Sequence, residues 1–194
     1  MPTSSIRLER KSDFMPQTIQ LKQQPYRIMD VANYVISIRP ITHELLALTL
    51  YYANAYFLVN KHRRLIQEPF KKWGHGPNNE IINSYFKNYG AAPITKPACY
   101  LIQVSTNVVR NHITTVNPKD RLLNPKDAQV IRYVADQLYR RYHHDSFELV
   151  KITQQEPMWK PYRKMIAIGD IHNEYTTQEI TDYFKDNQHW PWGN

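Results

Sequence analysis

The chain has 194 residues, a hydrophobic content of 42% and 14 tyrosines. This length suits one domain, and this composition supplies enough apolar surface for a packed core, which excludes wholesale disorder. The formal net charge of +8 suggests either an acidic partner or simply a basic surface. Cys99 is the single cysteine, so an intrachain disulfide and a cysteine zinc site are excluded, and its flanks predict a buried thiol.

The N-terminal residues are polar and basic. Residues 1–27 lack the apolar core of a signal peptide and read as an N-terminal arm. The longest apolar stretch, residues 45–59, is interrupted by Thr49 and Asn54 and is too short to span a bilayer. We therefore expect a cytoplasmic protein without a membrane anchor.

Two helices are predicted next. Apolar residues recur at three- and four-residue spacing over residues 28–38, and Pro40 stops that run. Thr42 is a good N-cap for a second helix over about residues 42–60, which is apolar around nearly its whole circumference. The sequence thus predicts a mainly α, compact helical domain around this central apolar helix.

An uncommon turn follows, Trp73-Gly74-His75-Gly76-Pro77, which the pattern places between two helices. Asn78 or Gly76 is expected to cap the helix over residues 81–89, and Gly90 to follow that helix as a left-handed C′ residue. Two interpretations stay open. A buried Trp73 could lock two helices together, or the helix start, with Lys71, Lys72 and His75 nearby, could hold a carboxylate or phosphate.

The second half begins with β-branched segments that predict a small β-hairpin or sheet near residues 98–116. Asn124 then opens a helix to about residue 142, and Ser146 is expected to cap a short helix through Val150. Thr153 to Glu156 and Thr176 to Glu179 both have capping-box spacing. Residues 187–194 are expected to form a C-terminal tail that is loose or laid on the surface.

Candidate catalytic groups are few. The sequence Gly169-Asp170-Ile171-His172 is typical of the start of a metallophosphoesterase site, but too few ligands follow it, so a turn is expected. His143-His144-Asp145 is interpreted as a polar helix terminus instead of a metal cluster. Neither a Gly-rich phosphate loop nor a nucleophile motif is evident. The sequence therefore predicts no catalytic, cofactor or metal site, and a protein that is not an enzyme.

Several motifs occur together in a fixed order. They are residues 31–36, Leu50-Tyr51-Tyr52-Ala53, the Trp73 to Pro77 turn, the helix over 81–89 with Gly90, and Thr153 followed by Glu156, Pro157 and Trp159. Together they resemble the Panacea domain, also called the SocA-like antitoxin domain, over residues 28–186. The resemblance marks as family or structural residues Tyr51, Tyr52, Trp73, Gly74, Gly76, Pro77 and Trp159.

This resemblance implies an antitoxin of a two-gene toxin–antitoxin system in bacteria or their phages. Such domains neutralise a cognate protein toxin by direct binding, toxic alarmone synthetases among them, and one member instead delivers its toxin to a Clp-type protease. No chemistry is implied. The sequence departs from the family pattern at His43 to Leu48 and at Asn78, so the identity of the toxin does not carry over.

The binding face and the oligomeric state do not follow from the resemblance. From the residues we expect a face formed by Lys71, Lys72, His75, Asn79, Asn83 and Lys87. The alternative is that this is a basic nucleic-acid-binding or phage-associated regulatory protein, which the net positive charge suggests.

Overall fold

The computed structural model describes residues 24–105, 111–120, 123–167 and 173–193. Most of the predicted N-terminal arm and the sequence Gly169 to His172 lie outside the described residues.

Two helices open the fold. Helix α1 spans Ile28–Ile38, and helix α2 spans His43–Lys61, with Leu45 N donating to Thr42 Oγ1 at the predicted N-cap. Helix α2 is buried on nearly all sides and packs against α1 and against later helices of the chain. The predicted central apolar helix is therefore confirmed. It ends at His62, which adopts a left-handed conformation with φ +52°.

The tryptophan turn is a β-hairpin and not a helix–helix junction. Strands β1, Lys71–Trp73, and β2, Gly76–Asn78, pair in antiparallel register. Helix α3, Glu80–Phe86, follows and continues as a 3₁₀ turn through Tyr89. Its N-cap is Asn79, so the prediction that Asn78 or Gly76 caps this helix was wrong; those residues are taken up by the strand. Gly90 has a positive φ of +54°, as a left-handed residue would, but its ψ of −126° places it outside the left-handed helical region.

The second hairpin was predicted from the sequence. Strand β3, Tyr100–Ser105, pairs antiparallel with β4, Asn111–Val116, from Tyr100↔Val116 to Ser105↔Asn111. Cys99, immediately before β3, is exposed. The prediction of a buried thiol was therefore wrong, because Cys99 lies in an exposed segment that leads into the hairpin.

After the second hairpin the described residues form four further helices: α4, Pro125–Tyr142, α5, Ser146–Thr153, α6, Arg163–Ala167, and α7, Thr177–Phe184. Asn124 and Thr176 cap α4 and α7 as predicted. Helix α5 is capped by Asp145 and not by Ser146, and Thr153 ends that helix instead of starting a new one. Both errors arise because several capping residues stand together, and only the backbone path selects among them.

The C-terminal segment packs onto the core. Trp190 is buried, and its ring centroid lies 4.7 Å from that of Phe184 in α7. The prediction of a tail that is loose or lies on the surface was therefore wrong, because the Trp190 side chain packs into the hydrophobic core. The described elements form a mainly α fold with two small hairpins. Within the described ranges, no helix combines the length and the apolar character that crossing a membrane requires.

Candidate functional site

The β1–β2 hairpin requires a glycine at position 76. Gly76 has φ +88°, and a Cβ atom built there would lie 2.6 Å from Thr153 Oγ1 of α5. Only glycine accepts that backbone conformation at such a close approach without strain. Gly74, in contrast, would bring its Cβ no closer than 3.8 Å to Ile166. The two glycines of the turn therefore have different roles.

Hydrogen bonds from the segment after α5 hold the turn. Trp159 Nε1 donates to Trp73 O over 2.9 Å, and Gln154 Nε2 donates to Gly74 O over 2.6 Å. Trp159 is buried, whereas Trp73 is only half-buried. The interpretation of Trp73 as a buried lock between two helices is therefore not supported. Trp159 is the buried tryptophan that holds the turn, and the Trp73 side chain is partly open to solvent.

Lys72 lies inside the protein. Its side chain is 1% exposed, and its Nζ contacts Glu179 Oε1 at 2.7 Å and Glu174 O at 2.8 Å. The rings of Tyr162 and Tyr175 lie within 4.8 Å of the same atom. Lys72 therefore ties the hairpin to α7 and is not available to a partner.

A buried polar cluster lies between α2 and the segment after α5. The Glu156 carboxyl group accepts hydrogen bonds from the Tyr51 hydroxyl at 3.1 Å and the Tyr52 hydroxyl at 3.4 Å. Burial raises the pKa of Glu156 to about 8, and it also raises the pKa of both tyrosines well above their ordinary value. Glu156 is therefore largely protonated at neutral pH, and the cluster is a structural joint between α2 and the segment after α5.

A cleft of about 710 Å³ opens beside the hairpin, and we call it the hairpin cleft. Its walls come from the start of α2, the hairpin turn, the end of α3 and the α4–α5 connection. It is lined by residues 42–44 and 47, residues 73–75 and 78, residues 83, 87, 90 and 91, residues 143–147, and Ile166.

Polar groups of the hairpin cleft are joined by Glu44. Its two carboxylate oxygens lie 2.8 Å from His75 Nδ1 and 3.1 Å from Ser146 Oγ. One acid thus connects the α2 start to the hairpin and to α5. Burial lowers the pKa of His43 below its ordinary value, so this histidine is neutral at pH 7.

Aromatic and apolar side chains complete the hairpin cleft. Phe147 is 52% exposed, and its ring centroid lies 6.1 Å from that of His75. The half-buried Trp73 and Ile166 add further apolar surface. The arrangement is a concave surface with an exposed aromatic group and hydrogen-bonding side chains, a combination typical of recognition sites.

The structure separates the residues predicted for a binding face. His75, Asn83 and Lys87 line the hairpin cleft. Lys71 is outside that lining and contacts Glu80 at 2.6 Å. Asn79 is buried as the N-cap of α3, where its Nδ2 donates to Pro69 O. Lys72 and Asn79 therefore have structural roles, and we no longer include them in the predicted binding face.

Sequence reasoning missed Glu44, Ser146 and Phe147. Glu44 lies in the first turn of α2, and Ser146 was predicted as a capping residue; both are local roles. The contact between them joins residues 102 positions apart in the chain, and no local pattern reports such a contact.

Candidate metal ligands do not converge within the part of the chain that the structure describes. No group of three or more histidine, cysteine, aspartate or glutamate side chains there could hold a metal ion. His143 is the residue after the last turn of α4 and Asp145 caps α5, as expected of a polar helix terminus. Asp170 and His172 lie outside the described residues.

Comparison with known proteins supplies one finding. A family model described as "Antitoxin SocA-like, Panacea domain" matches residues 48–160, which is more than half of the chain. No curated protein and no solved structure gives a significant match. The matched range runs from α2 to the end of the Glu156 to Trp159 segment, so it contains the hairpin, the Tyr–Glu cluster and most of the hairpin cleft. The chain belongs to the Panacea family of SocA-like antitoxin domains.

Proposed function

We propose that this protein is an antitoxin that neutralises a protein toxin by binding it directly in the hairpin cleft. The observation that supports this site is the exposure of Phe147 at 52% beside the polar groups of the cleft. An exposed aromatic ring that is surrounded by hydrogen-bonding side chains is the usual centre of a protein–protein contact.

The walls of the hairpin cleft are held in place before any partner arrives. Trp159 and Gln154 fix the turn, and Glu44 connects α2 to the hairpin and to α5. A pre-organised surface loses little conformational freedom on binding, so more of the contact energy appears as affinity. This favours neutralisation by occlusion, in which the bound antitoxin covers the working surface of the toxin.

Occlusion needs no chemistry from the antitoxin, so we propose that the protein is not an enzyme. The toxin is proposed to be a single protein encoded beside this one, and a toxic alarmone synthetase is a suitable candidate because the family includes antitoxins of that kind. Delivery of the toxin to a Clp-type protease is the competing mode of action.

The test is co-expression with the product of the neighbouring gene. We expect that product to arrest growth, and this protein to restore growth and to co-purify with it. The Phe147→Ala variant should lose both activities while its melting temperature changes by less than about 3 °C, since an exposed side chain contributes little to stability. Ile152→Ala is the matched control, because Ile152 is a 37% exposed apolar residue of the same helix that lies outside the cleft lining.

Three outcomes would contradict the proposal. A toxic neighbour that is neither neutralised nor bound removes the antitoxin function for that pair. Equal rescue by the Phe147→Ala variant and the parent removes the hairpin cleft as the binding site. If rescue is lost in a host that lacks Clp proteases while binding is preserved, the protein acts by delivering the toxin to the protease and not by occlusion.

A further inference from the structure

A second cavity lies between the end of α2 and the start of α7. Its volume is about 490 Å³, and it is lined by Gln24, Pro25, Leu58, His62, Arg63, Arg64, Thr177 and Thr181. We call it the basic pocket. None of its lining residues lines the hairpin cleft, so the two sites are independent.

The charged side chains that line the basic pocket are all basic. Its lining residues include two arginines, a histidine and two threonines, and no carboxylate among the described residues lines it. Arginine guanidinium groups and hydroxyl groups are the side chains that bind phosphate oxygens best. The apolar surface of Leu58 provides a neighbouring contact for the uncharged part of a ligand.

Contacts within the protein orient both guanidinium groups. Arg63 Nη2 lies 2.6 Å from both carboxylate oxygens of Asp127, and the guanidinium lies over the Phe57 ring at 4.8 Å. Arg64 Nη2 donates to Gln67 O over 2.9 Å. Because a guanidinium carries five N–H donors, each group can be held by these contacts and still donate to a ligand.

His62 adds a strained residue to the basic pocket. Its φ of +52° is the single positive φ of a non-glycine residue within the described ranges. Glycine is the usual residue at this point after a helix, since a Cβ atom is disfavoured there. A side chain that is kept in a strained conformation beside a pocket is a reason to look for a ligand.

From these observations we infer that the basic pocket binds a nucleoside phosphate. Its volume lies within the range of about 300–1,000 Å³ that small-molecule sites occupy. The phosphate oxygens would accept hydrogen bonds from Arg63, Arg64 and His62, and the base or sugar would contact Leu58. This site is separate from the one proposed for the toxin and does not depend on it.

The experiment is isothermal titration calorimetry of the full chain with three probes: adenosine triphosphate, inorganic pyrophosphate and adenosine. We expect the two phosphate compounds to bind and to compete with each other, and adenosine to give no heat. The Arg64→Ala and His62→Gly variants should each weaken binding of adenosine triphosphate roughly tenfold, the usual loss when a charge-assisted hydrogen bond is removed.

The variants also separate binding from folding. His62→Gly relieves the left-handed backbone, so its melting temperature should stay the same or rise while affinity falls. Arg140→Ala is the control for net charge, because Arg140 is an exposed arginine of α4 outside the basic pocket. Its affinity should stay within about twofold of the parent.

Each of three results would overturn the inference. No heat with either phosphate compound at low salt shows that the pocket holds no such ligand. An equal loss of affinity in Arg140→Ala shows a general effect of net charge. Binding of a twelve-residue single-stranded oligouridylate alone, without adenosine triphosphate, shows a nucleic-acid surface instead of a nucleotide pocket.

Discussion

Replacing Glu156 by glutamine should change how the stability of the protein depends on pH. The Glu156 carboxyl group is 1% exposed and contacts the hydroxyl groups of Tyr51 and Tyr52. Burial raises its pKa from 4.5 to about 8. The folded protein therefore keeps a proton on Glu156 at a pH where the unfolded chain has released it.

The sign and size follow from that difference in bound protons. Because the pKa is raised on folding, the stabilisation is complete below the unfolded pKa of 4.5 and is lost as the pH rises toward about 8. Each pH unit in the middle of that window corresponds to about 1.4 kcal/mol, and the slope is smaller close to either pKa. The loss between about pH 5 and about pH 8 is therefore on the order of 3 kcal/mol. Glutamine has a similar shape and hydrogen-bonding capacity but does not ionise.

The assay is urea denaturation of parent and Glu156→Gln, followed by tryptophan fluorescence at several values between about pH 5 and about pH 8. The difference in unfolding free energy between the two proteins removes the contribution of all other titrating groups. We expect it to move by on the order of 3 kcal/mol in favour of the variant as the pH rises. The control is Glu148→Gln, which replaces an exposed acid of α5. A difference that stays constant over the whole window would refute a buried, protonated Glu156.

Two further predictions use neighbouring residues as matched pairs. Gly76→Ala should lower the unfolding free energy by about 1–3 kcal/mol, because of its positive φ and its close approach to α5, whereas Gly74→Ala should change it by less than about 1 kcal/mol. Equal effects in the two variants, measured by urea denaturation, would argue against this hairpin geometry. Lys72→Met should cost about 3 kcal/mol, since it leaves Glu179 without its buried partner, and Lys71→Met less than about 1 kcal/mol at its more exposed ion pair. Thermal melts that rank the two lysine variants in the opposite order would contradict the burial of Lys72.

Local patterns predicted most of the helices. Thr42, Asn124 and Thr176 cap helices as expected, because capping is a contact between a side chain and the backbone two or three residues later. The central helix was predicted because its apolar surface admits only a buried position. The motif order also identified the family, which the match over residues 48–160 supports.

The first hairpin was not predicted, because its strands have three residues each and show no alternation that a pattern could report. The pairing depends on α5 and the Trp159 segment, which contact the turn from about 80 residues away. Lys72 illustrates the same limit. Its charge suggested a surface position, and its ion pair with Glu179 places it inside.

The sequence by itself determined the helical class, the central helix, the second hairpin and the family, since these depend on residue types at fixed short spacings. Only the tertiary structure decided which of the residues around the Trp73 turn line the hairpin cleft. It placed Lys72 and Asn79 inside, left His75, Asn83 and Lys87 in the hairpin cleft, and brought Glu44 and Phe147 to them. The physical reason is that a binding surface is made of contacts between segments distant in the chain, and those contacts exist only once the core has set the positions of the helices.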